Sequence, residues 1–321
     1  MANLGSAGIQ AVGLVVLATA GHEAPYWVCA IYLVLLAIGG VGAALFMDNV
    51  VAHRAGLSIA NLRAIVPVLD SWVISFLYLC ASGSFLGFAF AFGQVLQHNF
   101  VASGQTNGQA ALHAAEIAFI GPLLGSLARI VGGRLSDHFG GGRVTLSAFA
   151  GAIVAAGLVI AVSAHHDLTH GPRGPVTLST MTGYVIGFIA LFILTGIGKA
   201  AVYKLIPSVF EARSRALNLS DLERQDWARV RSGALIGLAG AFGALGSVGI
   251  NLVLRQSYNS TGTETPAFWI FLVCYIGAAV LAWVRYIRPQ RADVGLRRVG
   301  VSAAHTPEAD QATSTRARRA Q

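Results

Sequence analysis

Apolar residues run along this chain in blocks of bilayer length, separated by shorter polar stretches. Eight such blocks fall at about 3–21, 25–47, 71–96, 113–135, 143–164, 180–206, 232–254 and 267–287. None alternates in polarity residue by residue, and each exceeds the length of a strand. The pattern therefore predicts transmembrane α-helices and not a barrel. The second block is representative: Pro25, Tyr26 and Trp27 mark an interface, and Val28 to Met47 then runs without a charge.

The segments between blocks set the orientation. Arg54 and Arg63 follow the second block, Arg134 and Arg143 the fourth, and Arg213, Arg215, Arg224, Arg229 and Arg231 the sixth. After the eighth come Arg285, Arg288, Arg291, Arg297 and Arg298, whereas the alternate segments hold only Arg173 and Arg255. Cationic loops stay in the cytoplasm, so both termini are expected there, in a multi-pass protein of the cell (plasma or inner) membrane. The polar stretch 289–321 lacks periodicity and is expected to be a disordered cytoplasmic tail whose arginines can meet anionic lipid.

Composition agrees. Of 321 residues, 55% are hydrophobic and 11% charged, against about 25% charged in a soluble domain. A net charge of +8 might suggest nucleic acid, but the arginines sit between blocks and in the tail, where membrane topology accounts for them. The 38 glycines suit helices packed closely in lipid. Cys29, Cys80 and Cys274 lie inside apolar blocks without a short spacing, which excludes a CxxC motif and leaves them as small packing residues.

Three places could carry chemistry. The first follows the fourth block: Gly132, Gly133, Arg134, Leu135, Ser136, Asp137, His138, Phe139, Gly140, Gly141, Gly142 and Arg143. Asp137 flanked by Arg134 and Arg143 can form a charge cluster that latches helix ends in one conformation. The same string also reads as a positive-inside loop with glycine turns. The second is Arg129, inside the apolar stretch that begins at Phe119. An arginine there must snorkel, pair or face a wet cavity. Snorkelling is possible, because Gly133 is about 6 Å further along the helix. The alternative is a guanidinium fork suited to a planar oxyanion, with Gly121, Pro122 and Gly125 letting neighbours close around it. The third is the seventh block, where Gly237, Gly240, Gly243, Gly246 and Gly249 recur at every third position. They are expected to form one glycine seam along which a neighbouring helix rocks, or packs closely.

The string from Gly132 to Arg143 resembles the loop motif of the major facilitator superfamily. With Phe119–Arg129 before it and Val144-Thr145 after it, the sequence is similar to the nitrate/nitrite porter (NarK-type) branch. The seam from Gly237 to Gly246 resembles that family's second glycine-rich nitrate signature. The opening Asn3-Leu4-Gly5-Ser6-Ala7-Gly8 resembles the first, cut off upstream. Trp72–Tyr78 with Gly83–Phe88, and Gly196–Gly198 with Tyr203–Pro207, are similar to the family's seventh and tenth helices. The eight blocks would then be helices five to twelve. Residues 1–47 would hold the last two helices of an N-terminal half, 48–70 a cytoplasmic central loop, 71–288 a C-terminal six-helix bundle and 289–321 the tail. The expectation is an N-terminally truncated chain, with the missing half as its natural partner.

The resemblance implies alternating-access transport of nitrate and nitrite, by exchange or with protons, around a midplane site. By position, Arg129 matches the family's anion-binding arginine, Tyr78 a substrate-bonding tyrosine, and Asn3, Gly240 and Gly243 the two signatures. Gly133, Arg134, Asp137, Gly140 and Arg143 match the loop motif. Three positions depart from the pattern: Lys199 replaces a small polar residue, Ile130 a proline, and Ser82 a phenylalanine. Lys199 either adds charge to the anion path or pairs elsewhere. Lys204, nearer the cytoplasmic face, is expected to snorkel. Glu116 lies about 20 Å along the helix from Arg129 and Asp70 lies at a mouth, so no carboxylate relay is expected in this half. His165, His166, Asp167 and His170 fall in an expected outward loop and do not complete a metal set. No metal, cofactor or enzymatic motif is expected. The competing reading is a fragment that inserts in the membrane without transporting.

Overall fold

The computed structural model describes residues 8, 12–16, 19, 26–46, 59–171, 174 and 176–288. Among them every regular element is helical: α1 (Tyr26–Phe46), α2 (Ile59–Ile65), α3 (Leu69–Tyr78), a π-helical segment (Leu79–Gly83) and α4 (Ser84–Ala102). Then follow α5 (Asn107–Ala118), α6 (Ile120–Phe139), α7 (Gly141–His170), α8 (Leu178–Ser214), α9 (Asp221–Thr261), α10 (Thr265–Ala282) and a second π-helical segment (Trp283–Ile287). Seven spans are long and apolar enough to cross a membrane among the described residues. They match the second to eighth blocks. Most of the first block, including Asn3, all of 47–58 and the tail from 289 fall outside the described residues.

Several helices outrun the bilayer. With 37 residues in α8 and 41 in α9, they reach about 55 and 60 Å, against a hydrocarbon core of about 30 Å. The excess of α9 is its charged start, where Ser220 and Glu223 form a reciprocal capping box. Thr106 and Gln109 do the same for α5.

The bundle core is aromatic. Phe85, Phe88 and Phe92 of α4 meet Phe188 and Phe192 of α8, and Phe88 also meets Phe271 of α10. Phe88 and Phe188 pack edge to face at 5.6 Å between centroids, a geometry that the ring quadrupoles favour. The glycines expected to admit neighbours do so. Gly121 lies against the Phe192 ring, and a Cβ on Gly125 would meet the Phe192 carbonyl oxygen at 2.7 Å. A Cβ on Gly132 would come within 2.7 Å of Ile197 Cα. Helices α6 and α8 are thus in backbone contact along their length.

Two expectations change. The glycine-rich string 132–143 does not form a loop: α6 stays helical to Phe139 and α7 begins at Gly141. The reversal falls on Gly140 alone, at φ 84°, a conformation that side chains resist. The other glycines of the string are used for helix contact. Likewise His165 to His170 form the last turns of α7, and the loop begins only at Gly171. His166 is buried there, and Asp167 accepts a 2.6 Å hydrogen bond from Thr265 Oγ1. This charged turn anchors α10, and among the described residues no cluster of metal-ligating side chains occurs.

Candidate functional site

The segment Leu69–Ala102 is one span made of α3, a π-helical segment and α4. Its irregularity has a local cause. A Cβ on Gly83 would lie 2.8 Å from Gly246 Cα, and a Cβ on Gly246 would lie 2.8 Å from the Leu79 carbonyl oxygen. The backbones of the π-helical segment and α9 therefore touch. Single π-turns inside α-helices often mark functional positions, and this one begins directly after Tyr78.

Around that point three helices contribute polar groups. Tyr78, at the end of α3, hydrogen-bonds Ser82 and stands within electrostatic reach of Arg129. Arg129 is half-buried on α6, and its charge also acts on Lys199 of α8. Lys199 is only 5% exposed, and its ammonium sits 5.3 Å from the centroid of Phe85, in a cation–π arrangement. Gly243 of α9 closes the group: a Cβ there would meet Ser82 Oγ at 3.1 Å and Tyr78 Cδ1 at 3.2 Å. Arg129, Tyr78, Lys199 and Gly243 are thus brought together from four helices. Two cations and a phenol beside a glycine surface can hold a small planar anion through charge and N–H or O–H donation. Ser82 bonds Tyr78 where an aromatic wall was expected, and Phe85, one turn on, supplies an aromatic face instead.

The glycines of α9 do not form one seam. Steps of three residues turn about 60° per step, so four of them sweep well over half of the helix surface. Gly243 and Gly246 are buried against the π-helical segment, whereas Gly240 and Gly249 have open space beside them. Gly240 is therefore on a different face from Gly243.

The motif residues begin one turn beyond Arg129, at Gly133, and run to the basic end of the bundle at Arg143. Asp137 does not pair with Arg134 or Arg143; among the described residues its partner is Lys204 of α8. Lys204 Nζ also donates to the Gly133 carbonyl oxygen at 2.9 Å. Its snorkelling is therefore directed, satisfying a carbonyl near the end of α6. Arg134 and Arg143 are exposed. The i, i+3 spacing placed Arg134 beside Asp137 in sequence, but Lys204 arrives from a helix that spacing does not reveal. Asp70, expected at a mouth and given no partner in the sequence, is buried and accepts hydrogen bonds from Arg213 and Arg285. Its signal was present, since a carboxylate in the first turn of an apolar span needs a cationic partner. A cavity of 1030 Å³ opens at the opposite end between Gln94, His98, Asp167, Arg255 and Glu264, and none of the anion-binding candidates lines it.

Among the described residues the protein is a helical bundle with seven membrane-length apolar spans and ion pairs at the helix ends, the architecture of a multi-pass membrane protein. No protein family's sequence profile matches the chain. The chain is 30% identical over 262 residues to the nitrate/nitrite transporter NarU of Escherichia coli, covering 80% of this chain and 52% of that protein. It is 28% identical over 218 residues to the probable nitrate/nitrite antiporter NarK2 of Thermus thermophilus, covering 68% and 42%. It is 24% identical over 240 residues to the nitrite extrusion protein of Bacillus subtilis, covering 74% and 50%. The chain is thus homologous to the nitrate/nitrite transporters, and it spans about half the length of the relatives it matches.

Proposed function

We propose that this chain forms part of a transporter that moves nitrate and nitrite across the cell membrane by alternating access. In this reading Arg129 and Lys199 hold the anion by charge, Tyr78 donates a hydrogen bond to it, and Gly243 gives it backbone surface, whereas Gly240 faces away from that point. Residues 71–288 act as the six-helix C-terminal half. Residues 1–47 act as the last two helices of an N-terminal half, and Asn3 contributes from that side. The basic ends, including Gly133, Arg134, Asp137, Gly140 and Arg143, face the cytoplasm, as do both termini, and the tail from 289 meets lipid there. What supports the reading is that Arg129 lies within electrostatic reach of both Tyr78 and Lys199, in a chain whose relatives are named for nitrate and nitrite.

The test is anion uptake into proteoliposomes by the wild-type protein and by Arg129→Lys. Lysine keeps the charge and loses the fork, so uptake falls at least about tenfold if the planar donor geometry holds the anion. Equal uptake by both proteins refutes the role of Arg129. Absence of uptake by the wild-type chain favours a fragment that inserts without transporting.

A further inference from the structure

Asp70 opens α3 at the basic end, and its carboxylate binds two guanidiniums from separate elements. Arg213 Nη2, in the last turn of α8, lies 2.8 Å from Oδ2. Arg285, inside the second π-helical segment, places Nε 2.6 Å from Oδ1 and Nη2 3.1 Å from Oδ2. A paired fork of this kind is directional as well as strong. One side chain therefore fastens the same ends of three spans.

Each of those spans also departs from regular α-helical bonding close to the clamp. The first π-helical segment begins nine residues after Asp70, Pro207 interrupts α8 six residues before Arg213, and Arg285 sits within the second π-helical segment. Prolines and π-turns are where helices bend. Between the clamp and the first bend lies α3, a rod of ten residues, about 15 Å long. Its last residue is Tyr78, which reaches Ser82 and Gly243 in the candidate site. Beside the clamp, the Tyr286 hydroxyl is buried without a hydrogen-bond partner and within electrostatic reach of Asp70.

We propose that Asp70 is a positioning residue: by holding Arg213 and Arg285 it fixes the Leu69–Tyr78 rod, and release of this clamp lets the rod swing about the π-helical segment, carrying Tyr78 with it. Only the consequence for anion binding rests on the function proposed above.

Hydrogen exchange of the purified protein in lipid nanodiscs tests the clamp without any anion. Asp70→Asn is expected to speed exchange of amides 69–83 and 205–214 about tenfold and to leave 148–160 of α7 unchanged. If exchange of α7 also rises, the variant has lost its fold. Arg213→Gln, which removes one of the two guanidiniums, then reports instead, with a smaller rise of about threefold in the same segments. A folded variant with wild-type exchange at 69–83 overturns the proposal. A second arm measures KM for nitrate in Asp70→Asn, Tyr78→Phe and the double variant. If Asp70 acts through Tyr78, Asp70→Asn changes KM in the wild-type background but less than about twofold in Tyr78→Phe. Fully multiplicative effects refute the link. Faster exchange in a protein whose wild type does not bind nitrate supports the clamp and refutes the anion reading.

Discussion

Replacing Gly246 or Gly240 by alanine adds the same methyl group to the same helix, with opposite expected outcomes. At Gly246 the new Cβ would stand 2.8 Å from the Leu79 carbonyl oxygen and 3.0 Å from Gly83 Cα. Restoring ordinary contact of 3.4 Å means moving α9 away from the π-helical segment by about 0.6 Å. The obstructing atoms are mainly backbone, so they cannot rotate aside, and the cost falls towards the upper part of the range of about 1–3 kcal/mol for overpacking. The gain in helix propensity of about 1 kcal/mol leaves a net loss of about 1–2 kcal/mol. At Gly240 nothing lies within 4 Å, so only the gain of about 1 kcal/mol remains. The two variants should differ by about 2–3 kcal/mol, or roughly 4–12 °C in unfolding temperature. Thermal unfolding in detergent, followed by tryptophan fluorescence or by loss of the monodisperse peak, measures this. If Gly246→Ala unfolds at or above the temperature of Gly240→Ala, the backbone contact between α9 and the π-helical segment is wrong.

Three other substitutions probe separate parts of the account. Gly140→Ala forces a side chain to φ 84° at the single reversal residue between α6 and α7, and should cost about 1–2 kcal/mol; an unchanged unfolding temperature would contradict that turn. Lys204→Ala removes the Asp137 pair, but the two side chains are 38% and 65% exposed. The loss should therefore stay below about 1 kcal/mol in thermal unfolding, and a larger loss would show that the contact to Gly133 is the dominant one. Lys199→Ser removes a buried cation beside Arg129 and should weaken nitrate binding about tenfold or more in isothermal titration, whereas unchanged affinity would place Lys199 outside the site.

Much of this architecture was legible because bilayer thickness imposes a length and a polarity on each span. Seven of the eight blocks read from hydropathy coincide with seven membrane-length helices, and the relatives that the chain matches are nitrate/nitrite transporters. Pairing between distant segments was not legible. Asp137 has arginines three and six residues away in sequence, yet its partner is Lys204, 67 residues distant. Local spacing describes one helix, whereas ion pairs depend on which helices lie side by side. The seam of glycines failed for a related reason. Period three seemed close enough to the helical repeat of 3.6, but the residual rotation accumulates over four steps until the residues face different neighbours. The string 132–143 misled in the opposite direction. Its glycines suggested a loop, while Gly132 lies inside α6 where Ile197 approaches too closely for a side chain, and only Gly140 turns the chain.

The central claim is that Arg129, Tyr78 and Lys199 form one anion site, and calorimetric titration of the purified protein with nitrate tests it most directly. Saturable heat is expected in the wild type, abolished in Arg129→Lys and reduced in both Tyr78→Phe and Lys199→Ser. All four proteins must elute as the same folded species. Undiminished nitrate binding by a folded Arg129→Lys variant would contradict the site.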